Sequence, residues 1–187
     1  MSDGTLRLNL YRWRVRAGTP ALAGALVLAR PAWSSLAAGF AISLLGLGLR
    51  AWASGHVRKE KALAVSGPYR FTRNPLYLGT IAIAAGIAVA SRSPWAAVLL
   101  AAYFAVFYPV IIREERDRMR ELFPEAYASW ERAVPLLVPV PGRIGQGSGA
   151  RFSGKLFRKN KELRAVLGTL ALWGLMAVKI LVVRWPR

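Results

Sequence analysis

The chain contains no cysteine and a single histidine, His56. Disulfides, thiolate metal sites and a cysteine nucleophile are thereby excluded. A histidine metal cluster or a Ser-His triad has no residues to be built from, and no metal is expected. Acids are scarce as well: nine Asp and Glu stand against 27 Lys and Arg, for a formal net charge of +18. In a soluble protein that excess would suggest nucleic acid. Here the cations flank apolar blocks, so topology and contact with anionic lipid explain them better, and no nucleic-acid partner is expected. No internal repeat is visible, and strands are not expected.

Hydrophobic residues make up 55% of the 187 positions, which is one domain's length. They gather in blocks near membrane-spanning length, which predicts an all-α, polytopic integral membrane helix bundle with about five transmembrane helices. Residues 1–16 form a basic arm in which Leu8, Leu10, Tyr11, Trp13 and Val15 interleave with Arg7, Arg12, Arg14 and Arg16. Such an arm suits the membrane interface. No small-residue cleavage site follows it, so a cleavable leader is not expected.

A membrane core over residues 1–141 is expected to hold helices at about 15–29, 33–52, 76–90 and 95–112, then an amphipathic helix at 113–130. The first apolar block, Ala17 to Ala29, covers only about 20 Å, short of the roughly 30 Å of bilayer hydrocarbon. Arg30-Pro31 turns it into the second, which Trp33 and Trp52 bracket as interface anchors. Gly39, Gly46 and Gly48 of that block offer close helix contact. Pro109 is expected to kink the fourth block near its end. Phe123, Tyr127 and Trp130 recur at i, i+4 and i+7, one apolar face. Residues 142–164 read as a flexible basic linker, and 165–187 as an additional C-terminal transmembrane helix.

The N-terminal arm, the Arg50–Asn74 loop and the Arg113–Arg164 segment carry most of the cations, whereas the short turns hold only Arg30 and Arg92. Cation asymmetry therefore puts both long polar segments on the cytoplasmic side, with the C-terminus opposite. A bacterial inner membrane with a cytoplasm-facing site is the expected location.

Between the second and third blocks lies Gly67-Pro68-Tyr69-Arg70-Phe71-Thr72-Arg73-Asn74-Pro75-Leu76-Tyr77-Leu78-Gly79. Pro68 and Pro75 bias the residues before them away from helix. Arg70 and Arg73 supply fixed cations with fork geometry, suited to carboxylates and phosphates. A second polar cluster, Arg113-Glu114-Glu115, ends the fourth block, which should return to the same surface. Read plainly, Glu114 with Arg118 and Arg113 with Asp117 are ordinary i,i+4 ion pairs on a helix surface. The convergence of two polar segments at one membrane face favours a site instead.

Gly-Pro-Tyr-Arg at 67–70, Arg-Asn-Pro-Leu-Tyr-Leu-Gly at 73–79 and Glu114-Glu115 at the end of a hydrophobic helix resemble the isoprenylcysteine carboxyl methyltransferase family. The phospholipid methyltransferases are its wider relatives. Phe123-Pro124-Glu125-Ala126-Tyr127-Ala128-Ser129-Trp130, with Val134-Pro135 and Pro139 after it, is similar to the family's tail. The resemblance covers about Leu49 to Pro139. It implies S-adenosylmethionine as methyl donor, with a cytoplasmic C-terminal segment binding it. It also implies a hydrophobic or lipid-linked acceptor, such as the carboxylate of a prenylated cysteine, drawn from a lipid environment. In that reading Tyr69, Arg73, Asn74, Pro75, Tyr77 and Gly79 form the donor-binding loop. Glu114 and Glu115 accept hydrogen bonds from the donor's ribose or ammonium, and Arg113 and Glu114 act in catalysis, Arg113 by orienting a substrate carboxylate.

Many members of that family carry histidine where this chain has Asn74. Asparagine hydrogen-bonds but accepts no proton at neutral pH, so a general-base role is excluded there. His56 is a candidate substitute. Two other readings of the chain stay open: a sterol-type membrane reductase using NADPH, whose extra phosphates the basic loops would meet, and a non-enzymatic adaptor that binds anionic lipid.

Overall fold

The computed structural model describes residues 3–58 and 61–183, with side chains at Trp13 and from Arg16 onward. Most side chains of the basic arm, and the C-terminal Arg187 whose membrane side the cations predict, lie outside the described residues. Seven α-helices appear among them: α1 (Asp3–Leu28), α2 (Trp33–Ser54), α3 (Pro75–Ser91), α4 (Pro94–Leu122), α5 (Pro124–Ala133), α6 (Gly154–Lys159) and α7 (Glu162–Val182). A single turn of 3-10 helix covers Gly67–Arg70. The only extended pairing among the described residues is an isolated bridge between Arg58 and Ala62, so the all-helical expectation holds.

Local chemistry sets the boundaries. Proline opens α3, α4 and α5, where its missing N–H is no loss and its fixed φ suits the first turn. Ser93 caps α4, its hydroxyl accepting from the Ala96 N–H at 3.3 Å. Thr72 accepts from the Asn74 N–H at 3.2 Å just before α3. The expected single amphipathic helix over 113–130 is corrected here. The fourth block runs on as helix to Leu122, breaks at Phe123 (φ −140, ψ 60), and restarts at Pro124 as α5. The residue before a proline is driven from helical geometry, and that forces the break.

Among the described residues three helices, α2, α4 and α7, are long and apolar enough to cross a membrane; α3 is apolar but shorter, at 17 residues. The first apolar block instead belongs to a 26-residue helix that also carries Arg7, Arg12, Arg14 and Arg16. Five spans were expected from apolar blocks alone; length and charge together single out three. Large apolar side chains such as Leu45, Trp95, Val98, Leu167 and Leu181 point outward, as lipid contact requires.

The chain divides into two compact units. The first comprises residues 1–43, 84–115 and 171–187. Its helices meet through small residues. A Cβ at Gly39 would lie 2.3 Å from the Gly86 carbonyl oxygen, and one at Gly86 would lie 2.4 Å from the Gly39 oxygen. Two backbones that close admit no side chain, which is how small residues pack membrane helices. Ser35 donates to the Ala90 carbonyl at 3.1 Å, and Phe40 meets Trp173 edge-on at 5.5 Å. Lys179 donates to the carbonyls of Leu26 and Val27 at 2.7 and 2.8 Å. A cation there satisfies the last open carbonyls of α1.

The second unit comprises residues 44–83 and 116–170. Its core is Ala53, Tyr69, Tyr127, Trp130 and Val134, with Val57, Leu76, Met119 and Phe123 packed against it. The predicted 123/127/130 face is therefore a packing face. The same backbone-to-backbone approach recurs, with a Cβ at Gly46 falling 2.5 Å from the Gly79 oxygen. Residues 142–153 have no regular structure, yet they are tied in place: Gly145 N–H donates to the Arg70 carbonyl at 2.8 Å, and Ser153 N–H to that of Gly55 at 3.0 Å.

Candidate functional site

The loop between α2 and α3 belongs wholly to the second unit. Tyr69 is buried in the core, and its carbonyl accepts from the Trp130 indole N–H at 3.1 Å. The Arg73 N–H donates to the Pro135 carbonyl at 2.9 Å. Its guanidinium pairs with Glu131, which also takes Arg120 at 2.7 Å. Asn74 donates its side-chain amide to the Leu136 carbonyl at 2.8 Å. Pro75 is fully buried at the head of α3, and Tyr77 is half-buried one turn on. Apart from the Arg120–Glu131 pair, which joins α4 to α5, every contact named here joins the loop to α5 or to the Val134–Leu136 stretch behind it. The first motif and the Phe-Pro-Glu-Ala-Tyr tail thus fold as one module.

Glu131, not singled out by the sequence, is the centre of that module's charge. Burial alone would raise its carboxyl. Hydrogen bonds from Arg120 and Arg73, with their charges, outweigh burial and hold it below the usual carboxylate range. Burial likewise pushes the Tyr127 hydroxyl up, against the opposing effect of Arg73. Although the Arg73 guanidinium and the Tyr127 hydroxyl interact, the buried Nε–H of Arg73 makes no hydrogen bond of good geometry among the described residues.

Gly79 has a mechanical reason to be glycine. A Cβ there would lie 2.6 Å from the Arg50 Cγ and 2.7 Å from the Gly46 oxygen. Arg50 itself is held in a bidentate pair with Glu162, at 2.6 and 3.0 Å, and donates to Thr80 at 2.5 Å. Glu162 is 4% exposed; a buried acid without such a partner would be costly. No motif pointed to this pair, whose members are separated by 112 residues.

Next to the loop lies a cavity of about 290 Å³ lined by Ser66, Gly67, Arg70, Gly147, Gly149 and Ala150. Gly67 has φ +58, and a Cβ on it would collide with the His56 ring at 2.6 Å. His56 is thus placed at the start of the motif, with Nδ1 2.9 Å from the Ser66 hydroxyl. Burial lowers its pKa, which favours the neutral ring. Gly147 lies flat on the Arg70 side chain, where a Cβ would approach Cδ to 2.9 Å. The backbone N–H groups of residues 146–152 make no backbone hydrogen bonds among the described residues. A guanidinium, a hydroxyl and unfilled amides around one hollow suit an anionic group.

Arg113, Glu114 and Glu115 end the stretch of α4 that belongs to the first unit. Arg113 and Glu115 are exposed and Glu114 is half-buried. Tyr103, Phe104, Phe107 and Tyr108 form a chain of aromatic contacts along the preceding turns, with centroids 4.3 to 5.5 Å apart. Asp117 pairs with Arg116 at 3.1 Å rather than with Arg113. The structure therefore gathers Tyr69, Arg73, Asn74, Pro75, Tyr77 and Gly79 in one unit and carries the acidic pair in the other. Among the described residues no three His, Cys, Asp or Glu side chains gather into a metal-binding group.

Residues 21–126 match the family model described as phospholipid methyltransferase. The chain is 33% identical over 104 residues to the cobalt-zinc-cadmium resistance protein CzcN of Cupriavidus metallidurans, a match covering 52% of this chain and 48% of that one. It is 29% identical over 136 residues to the nickel-cobalt-cadmium resistance protein NccN of Alcaligenes xylosoxydans xylosoxydans, covering 68% and 62% respectively. The chain thus spans less than two thirds of the length of these curated relatives. No solved structure matches it.

Proposed function

This chain belongs to the phospholipid methyltransferase family, and from that premise we propose that it is an S-adenosylmethionine-dependent methyltransferase of the membrane. Its acceptor is lipophilic, the carboxylate of a prenylated-cysteine-like or other lipid-linked molecule. The observation that carries the reading is the Arg73 guanidinium, anchored by Glu131 yet with one buried donor that makes no hydrogen bond among the described residues. A buried unmade hydrogen bond costs about 1–3 kcal/mol, so an incoming carboxylate is favoured at that nitrogen. The residues present fit the anionic end of the donor.

Bound S-adenosylmethionine supplies a methyl group on a sulfonium, ready for displacement by a nucleophile. Methyl transfer of this kind needs position more than a strong base. Arg73 holds a carboxylate, and the core packing of Tyr69, Pro75 and the α5 module keeps that arginine still. Glu114 and Glu115 accept hydrogen bonds from ribose hydroxyls or ammonium. Arg113, exposed, orients the acceptor's carboxylate. Asn74 and Gly79 act through structure, one tying the loop to Leu136 and the other admitting the α2 backbone. The outward apolar faces of α2, α4 and α7 support a membrane setting; we place the site in a bacterial inner membrane, and the cation asymmetry supports its facing the cytoplasm.

Calorimetric titration of the detergent-purified protein with S-adenosylmethionine, S-adenosylhomocysteine and NADPH tests the proposal. Binding of the first two and not the third is expected. NADPH binding alone would support the reductase reading, and binding of none the adaptor. Methyl label transferred from the donor into extracted membrane lipid identifies the acceptor class. A second reading rests on the names of the relatives: methylation of a membrane component that contributes to tolerance of divalent metals. Growth in cobalt, zinc or cadmium, with and without the expressed chain, would bear it out or dismiss it.

A further inference from the structure

Between the end of α2 and the start of α7 lies a second cavity, of about 360 Å³, which the proposed methyl transfer does not use. Arg58, Lys61, Lys159 and Lys161 line it, with Val57 and Leu156 as its apolar walls. None of the four cations makes an ion pair among the described residues. Glu60, the one acid in this stretch of the loop, lies outside the described residues, and four cations outnumber it.

Such an arrangement carries two costs. Four like charges around one hollow repel one another more than they would if spread over the surface. The backbone adds the second cost: Lys161 has φ +58, in the left-handed region that few residues other than Gly, Asn and Asp adopt readily. Its surroundings fix that conformation. The Lys161 N–H donates to the Arg158 carbonyl at 3.0 Å. The neighbouring Asn160 amide donates to the carbonyls of Ser54 and Val57, at 2.8 and 3.1 Å. Asn160 therefore clasps the C-terminal end of α2 to the turn before α7 and holds the two cationic segments facing each other. A strained residue fixed at the wall of a cavity is where a functional use of its side chain is to be sought.

The cavity's depth follows from the helices that bound it. Both α2 and α7 are long and apolar enough to cross a membrane. The lining residues begin three positions after α2 ends at Ser54, and stop one position before α7 starts at Glu162. That is the level of lipid headgroups, where basic pockets between membrane helices take phosphates.

We propose that this cavity binds the phosphate-bearing headgroup of an acidic phospholipid. Four monovalent cations match a headgroup with two phosphates, the cardiolipin class, better than a single phosphodiester. Val57 and Leu156 meet the glycerol and the start of the acyl chains. The site is independent of the donor site, so its failure leaves the methyltransferase proposal untouched.

The test uses the full chain purified in a neutral detergent and titrated with cardiolipin, phosphatidylcholine and sodium pyrophosphate, with bound ligand read by native mass spectrometry. Cardiolipin is expected to bind at least about tenfold more tightly than phosphatidylcholine, since each cation near an anionic lipid contributes about fivefold. Lys159→Gln combined with Lys161→Asn should lower cardiolipin affinity about 25-fold. Asparagine accepts left-handed backbone, so the melting temperature should hold or rise, and weaker binding by a protein no less stable cannot be misfolding. Lys61→Gln alone, expected to cost about fivefold, gives the same readout on the opposite wall. A control, Lys155→Gln with Arg164→Gln, removes the same charge from exposed positions outside the cavity and should leave affinity within about twofold. Equal loss in both double variants would mean a diffuse basic surface and overturn the site. So would equal affinity for cardiolipin and phosphatidylcholine. Pyrophosphate binding without cardiolipin binding would overturn the lipid assignment in favour of a soluble phosphate.

Discussion

The loop at 67–79 and the triplet at 113–115 are the two polar motifs of the chain, and they employ their polar side chains in opposite ways. In the loop, Arg73 is paired with Glu131, Asn74 is bonded to Leu136, and the Tyr69 carbonyl is taken by Trp130. In the triplet, Arg113 is exposed, and Glu114 is half-buried with no ion pair among the described residues. A polar motif residue can hold the fold or hold a ligand, and the two uses leave different signatures. Loss of a structural partner lowers stability, whereas loss of a spare group lowers affinity alone. The comparison is therefore tested by measuring melting temperature and donor affinity together on each variant.

The largest effect is expected at the loop's last glycine. Gly79→Val forces carbons against the Gly46 oxygen and the Arg50 stem. Overpacking of this kind costs up to about 3 kcal/mol, or more where backbone cannot yield. Little folded protein should survive extraction. A Gly79→Val protein with wild-type melting behaviour and lost donor binding would instead make Gly79 a ligand contact and blur the comparison.

Glu131→Gln comes next. It removes the negative charge between Arg73 and Arg120 and leaves one acceptor oxygen where there were two, and hydrogen bonds to charged groups contribute about 1.5–3 kcal/mol. The carboxyl is held below its ordinary pKa in the fold, so its contribution is complete above the unfolded value and fades as pH falls toward the folded one. Melting temperature of the wild type should accordingly drop below about pH 5. In the variant that part of the slope should vanish. An unchanged pH profile would show that the carboxylate carries no net stability.

Glu114→Gln should behave in reverse. Stability should change by less than about 0.5 kcal/mol, as for other surface substitutions, while S-adenosylmethionine affinity falls about ten- to a hundredfold. Glu115→Gln, about 100° around the helix, is the parallel test. Wild-type affinity in both would take the acidic pair out of the site and leave the loop to carry the donor alone. The smallest effect belongs to Asn74→Ala. One neutral hydrogen bond to Leu136 disappears, at a cost of about 0.5–1.5 kcal/mol. Donor affinity should persist. If affinity drops while the melting temperature stands, Asn74 belongs with Glu114.

Composition and order alone were enough for the helical class, for the positions of α2, α3 and α7 and the start of α4 to within a few residues, and for the family, because apolar block length and short motifs are local properties of the chain. They also placed the break signals Pro31 and Pro75, whereas reading 113–130 as one helix missed Pro124 and its effect on Phe123. What only the tertiary structure decided was which polar groups are already occupied. Arg50 and Glu162 meet across 112 residues, Arg73 and Glu131 across 58, and Asn160 and Ser54 across 106. Pairs so far apart leave no trace in spacing or periodicity, since their partnership depends on helix packing rather than on neighbours in sequence. The glycines divide the same way. Their presence in the apolar blocks announced close contact, but that Gly39 faces Gly86 and Gly46 faces Gly79 is a matter of register, and register is set by how whole helices fit together.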